Sequence, residues 1–205
     1  MIAARLAACV AACAPRRLER SAARDEVLGR VEALAGGEGW TMRTLRAAGG
    51  PDADLLFPGG PAEMVEAWLD RADRAMIEVA HDLDEPRLSR RVRAIILMRL
   101  RTITPDRAAM RRALAVLMLP GRAGALARSL ARTVDAIWEA AGDRSVGLSR
   151  QTKRMTLASV YVQTLLFWLA RGDDPDAVAS FLDRRLEAVA RIGRIRQRLA
   201  AGRAA

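Results

Sequence analysis

The sequence predicts an all-α protein, and three observations carry that reading. Ala, Arg and Leu dominate its 205 residues, all of them favourable in helices, while β-branched runs are short. Apolar residues return every three or four positions through most of the chain, and no stretch alternates convincingly with a period of two. Paired glycines and prolines punctuate the periodic segments. Half of the chain is hydrophobic (51%), so a sizeable core can form, but aromatics are only 4%. That core must therefore be mostly Leu, Val, Ile, Met and Ala. The length suits one large domain, or a small helical unit fused to a larger one.

The elements follow in order. A first helix is predicted over 15–35, carrying Leu18, Val27, Leu28, Val31 and Leu34 and stopping at Gly36-Gly37. Thr41 is an N-cap for a short second helix that ends at Gly49-Gly50-Pro51. A very short segment, Asp52 to Phe57, is closed by Pro58-Gly59-Gly60-Pro61. A long amphipathic helix over about 62–82 places Met64, Val65, Trp68, Leu69, Ala72, Met76 and Ile77 on one side. Helices over about 87–103 and from Pro105 to the stop at Pro120 come next, then one over 122–141 with Leu126, Leu130, Val134, Ile137 and Trp138. Gly142-Asp143 opens a polar loop to about 149, and a last helix starts near Pro175.

From Met155 to Ala170 there is no charged residue. A membrane span needs about 20 apolar residues, and this run is shorter and contains Thr156, Ser159, Gln163 and Thr164. It predicts a helix surrounded by other helices, where an internal lipid cavity can form.

The net charge is +10, almost wholly from arginine, since Lys153 is the only lysine. A basic surface favours anionic partners, whether nucleic acid or a lipid headgroup layer. Cys9 and Cys13 suit neither a disulfide framework nor a CxxC motif, and with His81 as the single histidine a His-based metal site is not expected. Leu6-Ala7-Ala8-Cys9 looks like a lipoprotein cleavage box, but the apolar stretch before it is too short for a signal peptide. Residues 1–14 read as an N-terminal extension, and the chain as cytoplasmic. No nucleophile–base pair, phosphate loop or metal-ligand cluster is found, so neither catalysis nor a cofactor is expected.

Residues 15–60 have the layout of a helix-turn-helix that leads into a long helix, and in this they resemble TetR-type repressors. DNA reading would need the second short helix in the major groove and cations at its flanks. Between Ala47 and Asp70, however, there is no Lys or Arg, but Asp52, Asp54, Glu63, Glu66 and Asp70. Phosphate neutralisation supplies most nonspecific binding energy, so no DNA partner is expected and the motif is read as degenerate.

Gly39 to about Gly193 resembles the Coq-nine family of lipid-binding accessory proteins in ubiquinone (coenzyme Q) biosynthesis. The resemblance is carried by Arg112-Ala113-Leu114, Leu117-Met118-Leu119-Pro120, Ile137-Trp138, Ala141-Gly142-Asp143 with Ser145, and Thr152-Lys153-Arg154. Tyr161 and Phe181-Leu182 with Arg185 complete it. It implies a TetR-like helical bundle that has lost DNA binding, a hydrophobic cavity for an isoprenoid quinone or its precursor, and often a homodimer. It further implies presentation of that lipid to a membrane-associated demethoxyubiquinone hydroxylase, at the cytoplasmic face of a bacterial inner membrane. Family members carry an Asp, an aromatic, an Asn and a Tyr where this chain has Gly147, Leu148, Ser149 and Gln151.

On this reading 61–193 is a lipid-binding domain and 194–205 a basic tail. Leu114, Met118, Trp138, Tyr161, Leu165 and Trp168 are candidates for the cavity lining, with plain core packing as the alternative. Asp143 and Lys153 are candidates for a partner surface, or else a helix cap and a solvated charge. Arg191, Arg194, Ile195, Arg198 and Leu199 are candidates for contact with an anionic membrane surface. A solvated helix end is the alternative there. Two competing functions remain: a TetR-like transcriptional regulator with a hydrophobic effector, and a purely structural helical dimer.

Overall fold

The computed structural model describes residues 17–102, 107–143 and 145–201, with side chains as far as residue 191 except Leu148. Among the described residues it is all helical: α1 (Ala22–Glu38), α2 (Met42–Gly49), a 3-10 turn (Pro51–Leu56), α3 (Gly60–Ala80), α4 (Leu88–Thr102), α5 (Arg107–Leu117), α6 (Ala123–Ala140), α7 (Gly147–Arg171) and α8 (Pro175–Ala201).

Local chemistry sets several boundaries. The Ser21 side chain accepts from the Arg24 amide at 3.2 Å, so α1 starts there and not at residue 15. It runs through Gly36-Gly37 and stops at Gly39. Thr41 caps α2 as expected, accepting from the Thr44 amide at 3.1 Å. Gly50 has φ +82°, a left-handed conformation open to glycine, and it turns the chain from α2 into the 3-10 turn. The loop expected to run to 149 is shorter, because α7 begins at Gly147 and its first turns carry Arg150, Lys153 and Arg154.

The body is built on α3 packed against α6. Glu66 of α3 pairs with Arg128 and Arg132, and Asp73 of α3 accepts from Thr133, so the two helices run in the same direction. From 64 to 70 every residue of α3 is buried, with Trp68, Met64 and Val65 in the core. α4 packs on α3, α5 bridges α1 and α3, and α7 with α8 closes the far side.

The small N-terminal unit is fastened to this body. Trp40 Nε1 donates to the Ala109 carbonyl at 2.9 Å, and its ring lies 4.8 Å from that of Trp68. Arg24 pairs with Glu63, Arg74 with Asp25, Arg71 with Glu32 and Arg20 with Asp70. Arg112 donates to the Gly36 carbonyl near the end of α1 at 2.9 Å, Arg111 to the Leu169 carbonyl of α7, and Arg91 to the Ala141 carbonyl after α6 at 3.4 Å. These guanidiniums answer carbonyls that helix ends leave unpaired.

The charge argument of the sequence is corrected here. Four of the five carboxylates between Ala47 and Asp70 are partners of arginines: Asp54 of Arg46, Glu63 of Arg24, Glu66 of Arg128 and Arg132, and Asp70 of Arg20 and Arg74. Glu66 and Asp70 are buried, so the stretch is not a bare negative face. What bears on DNA reading is geometric. The would-be reading helix is a 3-10 turn of 6 residues, with Leu55 81% exposed at its surface.

Candidate functional site

Two grooves gather the residues of interest, both on the α6–α8 side. The first lies between α4, α7 and α8 and has a volume of about 330 Å³. Leu97 and Leu100 of α4, Trp168 of α7 and Val178 of α8 supply an apolar wall. Gly172 lets the chain turn tightly beneath it: a Cβ there would stand 2.6 Å from the Trp168 carbonyl oxygen. Arg93 and Arg101 form the cationic rim. Arg93 is committed to Asp183, with Nη2 donating to Oδ2 at 2.9 Å, and the guanidinium holds that carboxyl below the usual carboxylate range. Arg101 is exposed and makes no ion pair among the described residues. A greasy wall with a guanidinium at its lip suits a molecule that joins an apolar body to carbonyl or ether oxygens.

The second groove, about 360 Å³, lies at the junction of α6 and α7 and is polar. Lys153 Nζ donates to Asp143 Oδ1 at 2.6 Å and stands 5.5 Å from the centre of the Trp138 ring. Ser145 donates to Asp143 Oδ2. Burial alone would push the Asp143 carboxyl up, but the Lys153 and Ser145 hydrogen bonds outweigh it and hold it below its ordinary value. Trp138 Nε1 is buried and has no hydrogen-bond partner among the described residues, and Val146 stands exposed on the rim. Asp143 and Lys153 are thus one unit, and neither is merely a helix cap or a solvated charge.

The six residues expected to line one cavity are not brought together. Tyr161, Leu165 and Trp168 share a buried stripe of α7, and Trp168 lines the first groove. Trp138 lines the second. Leu114 is half-buried against the core. Met118 is corrected outright: α5 ends at Leu117, and Met118 begins the following turn 66% exposed. Arg191 is exposed on α8, whereas Arg194, Ile195, Arg198 and Leu199 lie outside the described side chains, as do Cys9 and Cys13.

One feature is absent from the sequence reading. Arg99 is fully buried and donates through Nε to Asp73, also buried, at 2.6 Å. Burial pulls the guanidinium down, and the Asp73 carboxylate more than offsets it. Nearby Tyr161 is pushed up by burial. The signal was present: Arg99 falls on the apolar stripe of Val92, Ile95 and Ile96, where a charge needs a partner. Among the described residues no group of His, Cys, Asp and Glu could hold a metal ion.

The family model described as COQ9 matches residues 123–193, which covers α6, α7 and the described side chains of α8. No curated protein matches the chain. The crystal structure of the TetR transcriptional regulator from Nitrosomonas europaea ATCC 19718 is similar. It is 25% identical, with a TM-score of 0.64, over 82% of this chain and 97% of that chain.

Proposed function

We propose, for a chain that carries a COQ9 segment on a TetR-like helical frame, a non-catalytic accessory role in ubiquinone biosynthesis, in which it binds an isoprenoid quinone or its precursor and presents it to a membrane-associated hydroxylase. The observation that carries this is the groove at Trp168. It combines an apolar wall with the exposed Arg101 guanidinium, and the matched segment supplies its α7 and α8 sides. A quinone ring stacks on indole, and its carbonyl oxygens accept from guanidinium. The groove holds a head group, with the tail leaving along the surface.

The polar groove at Asp143 and Lys153 is the surface assigned to the hydroxylase. Exposed Arg184, Arg185 and Arg191 on α8 would meet anionic headgroups at the inner membrane. No helix among the described residues is long and apolar enough to cross a membrane, so contact with the bilayer would be peripheral. A homodimer would pair the uncharged outer face of α7, where Met155 and Leu166 are exposed.

The test is recovery of isoprenoid from the purified chain by native mass spectrometry, paired with a titration by a short-tailed ubiquinone. Quenching of tryptophan emission should fall sharply in Trp168→Phe and persist in Trp138→Phe. Equal quenching in both variants, with no isoprenoid recovered from quinone-making cells, overturns the reading. The likeness to a TetR regulator favours a second reading, a repressor with an apolar effector. A retarded band with genomic fragments at physiological salt decides for it.

A further inference from the structure

We propose that the groove where α3 and α6 both begin is a binding site for a phosphate-class anion, separate from the Trp168 groove. It is the roomiest of the grooves described, about 800 Å³, and arginine dominates its lining: Arg17, Arg122, Arg128 and Arg132, with Gly124 between them. The bland reading is that these guanidiniums are there to neutralise carboxylates, and part of the set does so. Glu63 is taken by Arg24 at 2.7 Å. Glu66 is shared by Arg128 and Arg132, each at 2.7 Å.

That neutralisation falls short. One carboxylate answers two guanidiniums at Glu66, and Arg17 and Arg122 have no carboxylate at all among the described residues. Arg17 and Arg122 contribute one positive charge each and the Arg128–Arg132–Glu66 group one more, while Arg24, shared by Glu63 and Glu19, leaves one negative charge, so the balance is +2. A second observation points the same way. Arg132 is only 11% exposed, and its buried Nη1 has no hydrogen-bond partner among the described residues, although its Nη2 serves Glu66 and Ser129. A buried guanidinium donor left idle costs free energy that an acceptor at the groove would recover.

The backbone adds to this field. α6 is an 18-residue helix whose first residues, Ala123 and Gly124, follow an N-cap at Arg122 that offers no side-chain acceptor. Because α3 runs alongside in the same direction, the positive ends of two helix dipoles meet at one groove. A net charge of +2, an idle buried donor and two helix starts suit a dianion with several acceptor oxygens, as in a diphosphate or the phosphomonoester headgroup of a lipid.

The experiment titrates the full chain with inorganic pyrophosphate by calorimetry, and floats it on phosphatidylcholine vesicles with and without phosphatidic acid. Arg17→Ala and Arg122→Ala leave the Glu66 pairs intact. Each should weaken pyrophosphate binding about tenfold. Arg43→Ala/Arg90→Ala removes exposed charge of the same kind elsewhere and should leave binding unchanged. If the source is a free phosphate, pyrophosphate binds saturably without flotation on phosphatidic acid. If it is a lipid headgroup, flotation requires phosphatidic acid, falls in Arg122→Ala and is displaced by pyrophosphate. Absence of both responses overturns the site, as does an equal loss in the Arg43→Ala/Arg90→Ala control. Recovery of isoprenoid is indifferent to these variants, so the two proposals fail separately.

Discussion

Arg99 and Asp73 meet at 2.6 Å in the middle of the body, and neither is exposed to water. Thr133 Oγ1 donates to Asp73 Oδ2 at 2.9 Å, and Arg99 Nη2 donates to the Leu69 carbonyl at 3.2 Å. Three helices, α3, α4 and α6, are therefore tied at one polar point. Asp73→Ala strands a buried guanidinium and should cost about 3–5 kcal/mol. The double variant Asp73→Leu/Arg99→Met should lie much closer to wild type. Urea unfolding of the three proteins checks this, and a double variant less stable than Asp73→Ala refutes it.

Trp40 fastens the N-terminal unit by packing on Trp68 and by donating to Ala109 at 2.9 Å. Trp40→Phe keeps an aromatic ring but loses the donor and some volume, at about 1–3 kcal/mol. Hydrogen exchange should show the amides of α1 and α2 losing protection first, since the lost bond is one of those that hold them to the body. Uniform loss across α3 to α8 would count against a local role.

Asp143 has its carboxyl held below the ordinary range by Lys153 and Ser145. A depressed carboxylate stabilises the fold above its unfolded pKa of about 4 and loses that contribution as pH falls through the folded value. Asp143→Asn should therefore flatten part of the acid limb of stability below about pH 4. Thermal melts across that range at fixed salt test it. An unchanged acid limb means the Lys153 bond does not form in solution.

Leu166 is 54% exposed on the uncharged outer face of α7. Should two copies pair there, Leu166→Arg puts a charge into the interface and yields a monomer by light scattering at concentrations where the parent is a dimer. A parent that is already monomeric removes the homodimer from the proposed function.

The helical class and most helix positions were legible because apolar periodicity and paired glycines state them directly. The start of α7 was not, since Gly147, Leu148 and Ser149 read as a loop and no side chain caps that end. The largest misreading was of Glu66 and Asp70. Carboxylates look like surface in a sequence, but this part of α3 is enclosed on every side, and the arginines that make that tolerable stand as far as 66 positions away. Periodicity carries no information about pairs at that separation. The Trp168 groove was half legible: the indole was found from its stripe, but Leu97, Leu100 and Arg101 came from a helix treated only as core.

A repressor transmits an effector's presence by letting its reading heads swing against the core, so that their spacing on the duplex changes. The bonds from Arg20, Arg24, Arg71, Arg74 and Arg112 cross that joint, with Trp40 lodged in it. Together they fix the angle between the two parts in this structure. A swing of the front end against the body therefore has to part all of these contacts together, with the indole drawn out of its seat.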